Sequence, residues 1–153
     1  MSGTAGNQLQ GLLGNIGRSG VYRLPGEVDV EPFIIAAEAC GYFVFRVNLA
    51  TARNKEGLLA AIGRDMAFPE WYGQNWDALA DCLTDLGWRP AEGYLLLLDH
   101  ADRLHVRAGN ELATALNVFA EAAGCWREQN VAFWCLVTMQ ADGSAPLPPL
   151  LDC

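Results

Sequence analysis

The sequence is short of basic residues, of histidine and of every residue arrangement that announces a cofactor. Ten lysines and arginines stand against 18 aspartates and glutamates, a net charge of −8 over 153 residues. Such a field repels phosphates, so no direct nucleic-acid contact is expected. No apolar run approaches the roughly 20 residues that cross a bilayer, and no membrane contact is expected either. Residues 1–20 carry one arginine and no compact apolar stretch, so they do not read as a secretory signal. The five cysteines, Cys40, Cys82, Cys125, Cys135 and Cys153, are an odd number without metal-ligand spacing. They read as reduced thiols of a cytoplasmic protein. No Gly-x-Ser-x-Gly elbow marks a nucleophile. Gly11, Gly14 and Gly17 follow no strand pattern and so do not read as a phosphate cradle. Neither a cofactor nor a metal is expected, and the chain does not read as an enzyme.

What is present is a globular composition, 52% apolar and 18% charged, sized for one domain with a real core. Residues 1–20, rich in Gly, Ser, Asn and Gln, read as a flexible arm. Residues 21–40 read as an N-terminal extension: a short extended piece at Val21 to Pro25, then a short helix from Pro32 to Cys40 ended by Gly41. Strands are predicted at Tyr42 to Asn48, Tyr94 to Leu98 and Val131 to Val137. The second is a continuous apolar run, the mark of a strand covered on both faces. Helices are predicted at Asn54 to Met66, from Asn75 to Gly87 at the latest, and at Glu111 to Glu128, with a helical turn between Ala101 and Ala108. Strands alternating with helices imply an α/β fold, a three-stranded parallel sheet packed by helices over residues 41–138. Residues 139–153, with Pro146, Pro148 and Pro149, read as a flexible tail.

The densest signal is the run Phe68 to Leu86. An aromatic-rich loop leads into a helix that carries Asp77, Asp81 and Asp85 at intervals of four, on one helical face. Like charges so placed cost about 0.2–0.5 kcal/mol per pair on an exposed helix, and no basic residue lies between them. Trp76, Leu79, Ala80, Leu83 and Leu86 form the predicted buried stripe. From Pro69 to Glu121 there are nine acidic residues and three arginines, a local balance of −6 that attracts cationic partners. Asp77 and Asp81, with Glu121, could instead be a general acid/base pair, but a solvated face offers no burial to separate their roles. Asp99, His100, Asp102 and His105 form a short cluster without a second ligand set. Asp99 and Asp102 there read as caps of the next turn. Trp71 and Tyr72 read either as interface anchors beside a charged rim or as staples of the loop to the core.

The stretch Pro69 to Thr84, with its Pro-Glu-aromatic-Tyr-Gly-x-Asn-x-Asp-Ala-Leu-x-Asp-x-Leu-Thr pattern, resembles the barstar family, intracellular inhibitors of barnase-type ribonucleases. The region Val118 to Ala122 and the order of elements from Tyr42 to Val137 are similar as well. The resemblance implies a three-stranded parallel sheet and reversible blocking of a basic ribonuclease, with another cationic protein as a further partner class; the sequence leaves the oligomeric state open, a monomer being favoured. It implies that Asp81 imitates substrate phosphate, flanked by Asp77, with Glu121 as a distant acidic contact. Trp71, Gly73, Asn75 and Thr84 match further contact positions. Ala80 stands where the family has a contacting tryptophan, and Trp76 where it has a leucine, which redistributes contact area around the helix. The alternatives are a non-inhibitory acidic module for another cationic partner and a carboxylate-dependent hydrolase.

Overall fold

A computed structural model describes residues 2–25, 28–68, 73, 75–85 and 91–139. Four strands, β1 (Val21–Pro25), β2 (Phe43–Asn48), β3 (Gly93–Asp99) and β4 (Ala132–Met139), form one parallel sheet in the order β1-β4-β3-β2. Among the described residues five helices cover it: α1 (Ser2–Leu13), α2 (Glu31–Ala39), α3 (Lys55–Asp65), α4 (Trp76–Thr84) and α5 (Asp102–Glu128). Among the described residues, no helix is long and apolar enough to cross a membrane.

β3 is the hinge of the packing. Its leucines alternate between faces, as strand geometry requires. Leu96 and Leu98 enter a core with Phe45, Phe133, Leu58, Ile62, Leu79, Leu83, Leu116 and Phe119, from β2, β4, α3, α4 and α5. Leu95 and Leu97 enter a second core with Leu13, Leu24, Phe33 and Trp134, under α1 and α2. The connection from β1 to β2 runs one way along the sheet with α2 on one face. The connections β2 to β3 and β3 to β4 run the other way with α3, α4 and α5 on the opposite face. Reversing direction and face together is what right-handed crossovers demand.

Two expectations are corrected. The sheet has four strands rather than three, because Val21–Pro25 pairs with β4 in the register Val21↔Cys135 to Pro25↔Met139. A five-residue piece holding an arginine carries little strand signal of its own. It becomes a strand through a partner more than 100 residues away in sequence. Residues 2–20 are likewise no loose arm. They form α1 and a 3₁₀ turn at Ile16–Arg18, and Leu13 is fully buried. The Leu13 carbonyl accepts the buried Trp134 indole N–H at 2.8 Å and the Tyr42 hydroxyl at 2.9 Å. Composition hides this docking, since its apolar residues are few and their partners distant. The helical turn expected between Ala101 and Ala108 and the separate helix expected from Glu111 lie on either side of a kink at Ala108 (φ −146°, ψ 53°), within the span Asp102–Glu128 that α5 covers. Of the expected tail, Met139 ends β4, and residues 140–153 lie outside the described residues.

Removing residues 1–19 would strand the Trp134 indole N–H in an apolar layer at a cost of about 1–3 kcal/mol, and would take Leu13 out of the second core besides. We predict a lower urea midpoint for that truncation, followed by far-UV circular dichroism. An unchanged midpoint would restore the picture of a loose arm.

Candidate functional site

The site is built on α4, a helix of nine residues. Asn75 starts it from extended backbone (φ −135°, ψ 171°), its side-chain oxygen accepting the Ala78 N–H at 2.7 Å. That bond satisfies one of the donors a helix start leaves open. Gly73 sits just ahead, where a Cβ would stand 3.2 Å from the Asn75 amide nitrogen and crowd the cap. Leu79, Cys82 and Leu83 are buried and hold the helix on the core. At the far end the Trp126 indole of α5 donates to the Leu83 carbonyl at 2.8 Å.

The opposite side of α4 presents the acids. Asp77, Asp81, Thr84 and Asp85 are exposed. Neither Asp77 nor Asp81 makes an ion pair with a described residue. Ala80 is half-buried between the two sides. The Thr84 hydroxyl donates back to the Ala80 carbonyl at 2.9 Å, so it is engaged within the helix. Glu121 is exposed on α5, the neighbouring helix. Trp71, and with it Tyr72 and Leu86, lies outside the described residues.

Three residues differ from the expected stripe, Ala80 being half-buried rather than buried. Cys82, which the apolar periodicity passed over, is fully buried. Trp76, expected in the core, is only half-buried, with the Lys55 ammonium of α3 5.5 Å from its ring centroid. Nothing local in the sequence signals that pair, because its members stand on different helices.

The field of the acidic face reaches Cys82. Burial first, and then the charges of Asp81 and Asp85, push its thiol up to about 11. Burial also raises the Cys135 thiol.

The expected caps at Asp99 and Asp102 need correcting. Ala101 precedes α5 with no side-chain cap. Asp99 instead accepts from Arg46 at 2.9 Å and lies 3.5 Å from the Thr138 hydroxyl, bracing the ends of β2, β3 and β4. His100 follows with φ +61°, and the residues border a cavity of about 280 Å³. Among the described residues, no group of three His, Cys, Asp or Glu side chains could hold a metal ion.

Fold and site together define a parallel α/β protein with an exposed acidic helix face, on which Asp77 and Asp81 form no ion pair with a described residue. A family model described as Barstar (barnase inhibitor) matches residues 42–138, and the chain belongs to that family. Its fold is also similar to larger solved structures. The Aeropyrum pernix ORC2 protein in its ADP form matches at TM-score 0.55 and 19% identity, over 90% of this chain and 40% of that one. CDC6P from Pyrobaculum aerophilum matches at TM-score 0.51 and 19% identity, over 89% and 38%. This chain thus spans about 40% of the length of those proteins, and at such identity the likeness concerns the fold alone.

Because the folded value of Cys82 lies above the ordinary 9.0, the folded chain holds that proton more tightly than the unfolded one. The stability tied to this group is therefore complete below about pH 9 and is lost as pH rises towards about 11. We predict that iodoacetamide labelling followed by peptide mass spectrometry finds exposed Cys125 modified at pH 8 and Cys82 spared. Rapid labelling of Cys82 in the folded protein at pH 8 would contradict the burial described.

Proposed function

We propose that the chain is a stoichiometric protein inhibitor that occludes the active site of a basic ribonuclease with the acidic face of α4. The observation that carries this reading is the exposed pair Asp77 and Asp81, one turn apart and without ion-pair partners among the described residues, inside the family-matched region. Two unpaired carboxylates on a folded surface match a cleft built to hold phosphate. Lysine, arginine and histidine side chains there accept either anion through charge-assisted hydrogen bonds.

In this reading Asp81 takes the place of a substrate phosphate and Asp77 flanks it. Glu121 adds a contact from α5, and Gly73 and Asn75 shape the approach. Trp71 in the preceding loop, Ala80 and Thr84 complete the contact set. Ala80 offers little area where the family has a tryptophan, and half-exposed Trp76 supplies some in its stead, so the cognate nuclease has a cleft contoured for that exchange. The protein acts as a cytoplasmic monomer, without cofactor or metal and without turnover of its own. A non-inhibitory module would use the same face on another cationic protein. Nucleotide binding does not follow from the ORC2 likeness: Gly11 lies within α1 and Gly17 within the 3₁₀ turn, not in a strand–loop–helix cradle.

The expected effect of Asp81→Ala is a loss of about 2–5 kcal/mol in binding to a barnase-type ribonuclease, a range to which the barnase–barstar pair itself contributes. Thermal stability should stay within about 0.5 kcal/mol, as for surface substitutions generally. Competitive inhibition assays and melting curves read the two effects, and undiminished inhibition by the variant would remove Asp81 from the site. Association should also slow steeply as salt rises from 50 to 500 mM, because screening shortens the reach of the acidic face to about 4 Å. A salt-independent on-rate would point to an apolar patch instead. Hydrolysis of any substrate by the isolated chain, abolished in Asp77→Asn, would favour the hydrolase.

A further inference from the structure

In a chain with ten basic residues, three of them gather at one groove. The groove, about 450 Å³, lies between the start of α3 and the break in α5, and Arg53, Asn54, Lys55, Glu56, Arg107 and Glu111 border it. Arg53 and Arg107 are exposed. Neither they nor Lys55 makes an ion pair with a described residue. Arg46 and Arg64, elsewhere on the surface, are each bonded to an aspartate within 3 Å. Glu56 and Glu111 are in reach of the same groove and leave it one positive charge in excess, in a molecule of net charge −8.

The groove adjoins the acidic face. Lys55 lines it and also stands over the ring of Trp76, the first residue of α4, next to Asp77. We infer that this groove is a second contact site for the protein partner and admits a carboxylate from its surface. The inference rests on the inhibitory reading of α4. A phosphate backbone would have to lie beside Asp77 and Asp81, which repel it. A cationic protein whose positive cleft faces α4 meets no such barrier, and a single acidic side chain at the rim of that cleft reaches the groove. Patches of opposite sign placed side by side fix the register of docking and reject partners that carry positive charge alone.

The test has two arms. In the first, the full chain is titrated with a hexaglutamate peptide, and separately with hexauridylate, while its amide resonances are followed. Hexaglutamate should shift the amides of residues 53–56 and 107–111, and Arg53→Ala with Arg107→Ala should weaken that binding about tenfold. Absence of shifts, or shifts elsewhere, would overturn the site. Larger shifts of the same amides by hexauridylate would assign it to nucleic acid and overturn the partner class. In the second arm, the same double variant is assayed against a barnase-type ribonuclease that the unmodified chain inhibits, where the inhibition constant should rise about tenfold. Inhibition lost in Asp81→Ala but kept in the arginine variant would leave the reading of α4 standing and remove the groove alone.

Discussion

Burial of β3 on both faces is the constraint on which the rest of the structure depends. Six consecutive residues from Gly93 to Leu98 are buried, and alternate leucines belong to two separate cores. Each leucine so placed contributes about 1.5–3 kcal/mol, but only if helices cover both faces. α3, α4 and α5 cover one face, α1 and α2 the other. β1 and β2 stand at the two edges, and β1 extends the sheet beyond β4.

That arrangement explains how so short a helix can carry an acidic face. Nine residues form a marginal helix on their own, and its like charges weaken it further. Leu79, Cys82 and Leu83 hold α4 on the core, Asn75 caps its start and the Trp126 indole fixes its end. On its outer face Asp77 and Asp81 make no ion pair with a described residue. Rigid placement matters for an inhibitor, since little conformational freedom remains to be lost when it docks.

The parts of the fold read correctly from sequence are those written in local pattern. Asn54 and Asn75 were placed at helix starts, and each side chain does accept a backbone N–H three residues on. The leucine run of β3 announced its two-sided cover. The acid spacing placed Asp77, Asp81 and Asp85 on one exposed face. What escaped depends on distant partners. Leu13 is fastened by an indole 121 residues away, and β1 exists only beside β4. Trp76 was placed in the core because it is apolar and in phase, yet Lys55 of another helix shares its surface. Asp99 was read as a cap for want of any sign that Arg46 and Thr138 would surround it.

The central claim, that the acidic face closes a ribonuclease by filling its cleft, is tested most directly by stoichiometry. A barnase-type ribonuclease held well above the dissociation constant is titrated with this chain while RNA cleavage is followed. The account predicts a linear fall in activity that ends at one equivalent of inhibitor. Full activity at a large excess of the folded chain would contradict it.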